Sequence, residues 1–179
     1  KTEGDEWEES IDRSDALETL DGHDGLTPEY IITRIRDAGI TGMGGAGFPT
    51  YVKLTPPSTS KIYCVIINAV ECEPYITSDY RLMMEHADEI LVGVKLVLMA
   101  VSAPVAYIGI ERNKPAAIRL FQEKTIGERS IKIVPLEQKY PQGGEKQLID
   151  AVTRRQVPDP PAIPANVGTV VVNVGTAFA

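Results

Sequence analysis

The run Ile62-Tyr-Cys-Val-Ile-Ile67 is rich in β-branched residues and shows no alternation of polar and apolar positions. A strand with one wet face alternates; a strand covered on both faces does not. Two covered faces mark a parallel sheet, whose strands need long crossover connections, usually helices. This run therefore predicts an α/β chain. The flanking sequence supplies what such a fold needs. Val105 to Ile110, Ile131 to Val134 and Thr169 to Asn173 read as three further strands. Helical segments are predicted from Pro28 to Ala38, ending at Gly39, from Asp79 to about Val101, from Pro115 to Lys124 and from Glu145 to Thr153. Thr27 suits the first N-cap, Pro28 the first helical position, and Leu26 can staple to Ile31. The alternation predicts a three-layer α/β/α, Rossmann-like domain with a mainly parallel sheet.

Charge divides the chain. Residues 1–25 hold ten of the 25 acidic and two of the 18 basic residues, a balance of −8, whereas residues 26–179 hold 15 acidic and 16 basic. The first segment is expected to be an acidic linker, disordered for want of apolar surface, and the domain to span 26–179. No basic patch suits nucleic acid. The best membrane candidate, Ile90 to Val101, is short and interrupted by Lys95, so no span is expected. No basic-then-apolar leader opens the chain. Two cysteines make no disulfide framework, which fits a reducing cytoplasm. The last residues, Asn173 to Ala179, carry no end signal and read as a cut through a longer protein.

Four features carry the chemistry, all in loops or at strand ends. Gly42-Met-Gly-Gly-Ala-Gly-Phe-Pro-Thr50 matches G-x-G-x-x-G at Gly42, Gly44 and Gly47, but a helix precedes it where the dinucleotide fingerprint needs a strand. What survives is a backbone that approaches a flat or anionic ligand closely, against the plainer reading of a surface turn. Asn68-Ala-Val-Glu-Cys-Glu-Pro74 follows the first strand, placing an amide and two carboxylates at a carboxyl edge. The alternative there is a solvated turn. Tyr140-Pro-Gln-Gly-Gly-Glu-Lys146 opens a helix, and Asn173-Val-Gly-Thr176 closes the last strand. No metal-ligand spacing occurs, Cys64 and Cys72 being eight apart, and no nucleophile elbow of the G-x-S-x-G type is present. His23 falls in the acidic segment and His86 on an expected exposed helix face. No catalytic acid or base stands out.

Together these motifs resemble a known family. The glycine loop with Lys53, then Asn68 to Pro74, is similar to the flavin-binding domain of the 51 kDa subunit of respiratory complex I. Val70 to Thr77, Lys139 to Ile149 and Asn173 to Ala177 resemble hallmark stretches of the C subunit of the Rnf electron-transport complex. The resemblance implies a peripheral subunit on the cytoplasmic side of the membrane. It would work in a complex that passes electrons between NADH and ferredoxin and translocates Na⁺ or H⁺. It implies FMN and NADH as ligands, other complex subunits as partners, and ferredoxin as an indirect one. Two 4Fe–4S clusters are implied in a C-terminal region outside this chain, where no C-x₂-C-x₂-C run occurs. Carried over by position, Gly42, Gly44, Gly45 and Gly47 wrap the flavin, and Lys53 reaches its ring or phosphate. Asn68 and Glu71 contact the isoalloxazine and ribityl groups, and Asn173 and Thr176 anchor the phosphate end. Phe48 stacks on nucleotide rings, Glu73 lies near the NADH, and Tyr107 matches a strand tyrosine. The chain departs from complex I at Val70, where an Asp is usual, and at Pro56, where a second aromatic is usual. Two other readings stand beside this one: a cobalamin-reductase flavin domain, and a cofactor-free docking scaffold.

Overall fold

The computed structural model describes residues 26–179, so the expected linker lies outside the described residues. Order begins as the capping signals predict. The Thr27 hydroxyl accepts the Tyr30 N–H at 3.2 Å and opens α1 (Pro28–Asp37). After the glycine loop comes a single turn, α2 (Thr50–Lys53), then β1 (Cys64–Ala69). The chain continues through α3 (Ser78–Glu85), α4 (Ala87–Ala100), β2 (Ala106–Glu111), α5 (Pro115–Lys124) and β3 (Ile131–Leu136). It closes with α6 (Glu145–Thr153), a 3₁₀ turn at Pro164–Val167, β4 (Thr169–Asn173) and α7 (Val174–Phe178).

The sheet is parallel throughout, in the order β3-β2-β1-β4. β1 is therefore interior, as its sequence requires, and Val65, Ile66 and Ile67 are wholly buried. Its alternate side chains feed two separate cores. Val65, Ile67 and Ala69 join α1, α4, α5 and α7, while Ile66 and Val70 join Leu148 and Ile149 of α6 and Val171 of β4. Helices thus cover both faces. Burying each large aliphatic side chain contributes about 1.5–3 kcal/mol.

Several segments differ from the sequence reading. β1 starts and ends two residues later than expected, because the Tyr63 N–H meets the Gly168 carbonyl outside the ladder while Asn68 and Ala69 continue the pairing. β3 runs on to Leu136 through Pro135, which an edge strand tolerates for want of an outer partner. The helix predicted from Asp79 to Val101 is two helices, broken at His86, whose φ of −134° and ψ of 40° are not helical. His86 is thus a junction rather than a surface ornament, its Nδ1 2.8 Å from Glu89 and its ring 4.9 Å from that of Phe178. The break lets α4 lie on the sheet while α3 crosses the carboxyl edge. Last, α2 and α7 are too short to carry a periodic signal.

The order of the strands also creates a switch point. From β1 the chain winds outward through β2 to β3, with α4 and α5 on one face. It then returns past β1 to β4, with α6 on the other face. The connections diverge at the carboxyl ends of β1 and β4, where open α/β sheets leave a crevice for ligands.

Two contacts outside the crevice are open to test. A Cβ on Gly93 of α4 would collide with the Ala177 carbonyl of α7. Gly93→Ala should therefore destabilise the domain by about 1–3 kcal/mol in urea unfolding, since that carbonyl cannot rotate aside as a side chain does. Glu128 accepts the Ser130 N–H at 2.9 Å and the Ser130 hydroxyl at 2.8 Å, and pairs with Lys95 at 3.0 Å. The Ser130 backbone N–H, opposed by burial and aided by Lys95, holds its carboxyl down at about 2. A depressed carboxyl stabilises the fold above its unfolded value of 4.5 and loses that effect as pH falls toward 2. Glu128→Gln should cost about 1–2 kcal/mol near neutral pH, with the gap to wild type closing between those two values. An unchanged gap at pH 3 and pH 7 counts against the assignment.

Candidate functional site

The glycine loop is pinned at its base. Thr41 and Pro49 form an antiparallel bridge, Gly42 N–H donates to the Phe48 carbonyl at 2.7 Å, and Thr50 N–H to the Ile40 carbonyl at 3.1 Å. Within it, Gly45 (φ 103°) and Gly47 (φ 60°) occupy the left-handed region, and no protein atom lies within 4 Å of where their Cβ would stand. Gly44 is different: a Cβ there would touch that of Asn173 at 3.4 Å. The loop closes over the switch point and leaves beneath it a cavity of about 740 Å³.

Gly42, Gly44, Phe48, Lys53, Asn68, Asn173 and Thr176 line that cavity, so motifs from opposite ends of the described chain converge on it. Asn68 and Asn173 are register partners at the ends of β1 and β4. The third motif arrives as Gly143, Gly144 and Glu145, the start of α6, whose N-cap Gly144 supplies no side-chain acceptor. A helix beginning there brings N–H groups without intrahelical partners to the wall.

The polar side chains of the site mostly bind one another. Asn68 Nδ2 donates to the Gly143 carbonyl at 2.9 Å, and its Oδ1 accepts the Val70 N–H at 3.1 Å, tying β1 to the loop before α6. Asn173 Oδ1 accepts the Gly175 N–H at 2.8 Å and caps α7, while its Nδ2 donates to Asp79 Oδ2 at 3.0 Å. The Thr176 hydroxyl accepts the Met43 N–H at 2.9 Å, tying α7 to the glycine loop. Lys53 Nζ donates to Glu145 Oε1 at 2.9 Å. The walls are braced before any ligand enters.

The two acidic residues of the β1 turn go elsewhere. Glu71 and Glu73 line a neighbouring cavity of about 620 Å³ together with Tyr75, Lys114 and Tyr140. The Glu71 carboxylate accepts the Asp79 N–H at 2.9 Å and the Tyr80 N–H at 3.4 Å, and lies 3.7 Å from Lys114 Nζ. Its side chain is only 3% exposed. It caps α3, where Thr77 makes no cap of its own, and it lines this cavity rather than the 740 Å³ one. Tyr107 also lies outside the 740 Å³ cavity. It is the second residue of β2, far from the carboxyl edge, with Lys132 Nζ 5.9 Å from its ring centre, and it lines neither cavity.

Two residues that the sequence reading passed over hold the edge together. Lys114 joins Glu111 at 2.9 Å to Glu71 and is itself 11% exposed. Asp79 connects α3 to Asn173; burial raises its carboxyl above the ordinary value, Asn173 opposing and the Glu71 charge adding. Lys114 ends the loop after β2, a position that the carboxyl-edge rule alone could have marked. Asp79 carries no comparable signal. Of the cysteines, Cys64 is buried, and burial pushes its thiol up; Cys72 is half-buried.

Residues 35–179 match the family described as the Nuo51 FMN-binding domain. The C subunit of the proton-translocating ferredoxin:NAD(+) oxidoreductase complex of Clostridium ljungdahlii is 44% identical over 98% of this chain. The C subunit of the Na(+)-translocating complex of Acetobacterium woodii is 41% identical over 97%. The chain spans only 36% and 41% of the lengths of these two relatives. A crystal structure of an NAD+-reducing [NiFe]-hydrogenase superposes with a TM-score of 0.73 and 26% identity, covering 94% of this chain and 32% of that one. Sequence match, parallel sheet and the convergence of the glycine loop on the β1–β4 crevice agree, and the chain belongs to the Nuo51 FMN-binding domain family.

Proposed function

We propose that this chain is the flavin domain of the C subunit of an ion-translocating ferredoxin:NAD(+) oxidoreductase complex, binding FMN in the crevice between β1 and β4 and receiving electrons from, or returning them to, NAD(H). The observation that carries the reading is the cavity itself. Its volume of about 740 Å³ is that of a cofactor site, and Gly42 and Gly44 line it with backbone. The loop then bends at Gly45 and Gly47 through left-handed φ values that favour glycine.

The residues present fit FMN. Lys53 supplies a cation for the phosphate or for the edge of a reduced ring, and the α6 start supplies backbone donors. Phe48 is 46% exposed at the rim, free to lie against a planar ring. FMN, when bound, supplies the hydride chemistry at its ring. The chain's part is orientation, because hydride transfer needs stacked, aligned rings and no proton donor from the protein. Asn68, Asn173 and Thr176 serve that end by fixing the walls to one another. Glu73 stands at the adjoining cavity, near the nicotinamide nucleotide in this reading.

The names of the relatives support the wider assignment. It makes the domain a peripheral module at the cytoplasmic face of the membrane, partnered by other subunits, with ferredoxin reached through them and iron–sulfur clusters carried elsewhere in the full-length protein. Among the described residues no helix is long and apolar enough to cross a membrane.

FMN titration followed by fluorescence quenching tests the reading, with saturable one-to-one binding expected. NADH should then bleach the visible absorbance of the bound oxidised flavin. Gly44→Val places two methyl groups against Asn173 and into the cavity, and should weaken FMN about tenfold or more with little change in melting temperature. A chain that takes up no FMN under any of these conditions would be a docking scaffold instead.

A further inference from the structure

Among the described residues, Lys53 and Glu145 are the only charged ones lining the 740 Å³ cavity, and they form an ion pair with each other at 2.9 Å. The side-chain charges of the cavity wall therefore balance. Beyond the backbone donors at the start of α6, an anionic ligand gains no net attraction from the wall unless the pair opens. The two side chains are 36% and 42% exposed, so the pair is screened by water and holds weakly. Glu145 also has a second source of stabilisation: it sits in the first turn of α6, where the helix dipole favours a carboxylate without any partner. Lys53 ends α2, whose C-terminus also favours a cation, but α2 is a single turn of four residues and its dipole is correspondingly weaker than that of the nine-residue α6. Exchange is asymmetric. Glu145 can release the ammonium at small cost, and a ligand anion can take it over.

We propose that Glu145 sets the positive charge that Lys53 presents to the cavity, holding the ammonium until the anionic part of the flavin, its phosphate or its reduced ring, replaces the carboxylate. This deepens the flavin reading above and rests on it. Glu145 is a specificity-determining residue in this scheme: it lowers the affinity for anionic ligands and leaves neutral ones alone.

The test is a titration of FMN and of riboflavin, which lacks the phosphate, onto wild type, Glu145→Gln, Lys53→Gln and the double variant, with redox titration of the bound flavin. If the ammonium meets the phosphate, Glu145→Gln should bind FMN about two- to fivefold tighter and riboflavin unchanged. If it meets the ring, the affinities hold and the midpoint potential rises, because the reduced anion gains an unshared cation. Either effect must vanish in the Lys53→Gln background. Unchanged FMN preference and unchanged potential in Glu145→Gln overturn the proposal, as does an effect that survives without Lys53. A wild-type chain that binds neither flavin overturns the flavin reading itself, a distinct result.

Discussion

The register that sets Asn68 beside Asn173 governs the site more than any other feature. Parallel strands end together only if their pairing is fixed along the whole ladder, and here Cys64 to Asn68 pair one-to-one with Thr169 to Asn173. A slip of one residue would turn Val170 and Val172 out of one core and Val171 out of the other. Burial on two faces therefore fixes the register tightly, and the register delivers both amides to the crevice. The opposite winding of the chain on either side of β1 keeps that crevice open.

From these two amides the walls are assembled in sequence. Asn68 reaches the loop before α6, Asn173 reaches α3 through Asp79 and starts α7, and α7 returns to the glycine loop through Thr176 and Met43. Most of these bonds join segments distant in sequence, so they carry loop-closure entropy that the ligand does not have to overcome. Beneath this rim, Lys114 joins the ends of β1 and β2 through Glu71 and Glu111. A nearly buried cation between two buried carboxylates is costly unless every partner is placed, which makes that corner rigid or destabilising with little between.

Much of this was legible in the residues. The unbroken apolar run of β1, the capping residues of α1 and the proline at the start of α5 each act locally, so their consequences appear in sequence. The convergence of Asn68, Asn173 and Thr176 was also legible, because strand ends share one edge in a parallel sheet; the glycine loop and Lys53, which follow a helix, were joined to them only by the family resemblance. What escaped were the effects of orientation. Glu71 stands in the right motif, yet its carboxylate turns to the uncapped start of α3, a choice set by where α3 begins. Tyr107 lies on the same sheet but near the amino end of its strand, away from the crevice. The break at His86 has no glycine or proline to announce it; it follows from α3 and α4 having different surfaces to cover.

The bracing has a consequence for how ligand binding is divided among the groups at the site. Asn68, Asn173 and Thr176 each have polar atoms engaged with the protein, so their removal unpairs a wall before it removes a ligand contact. The glycine loop and the start of α6 present backbone instead, and backbone held at both ends needs little reorganisation to receive a ligand. Among the described residues, Lys53 is then the one cationic side chain of the lining, and its charge is already shared. Shape belongs to the braced backbone and side-chain charge to one weak ion pair, so in the proposed flavin site affinity for the flat ring and affinity for its anionic parts would be controlled by separate residues.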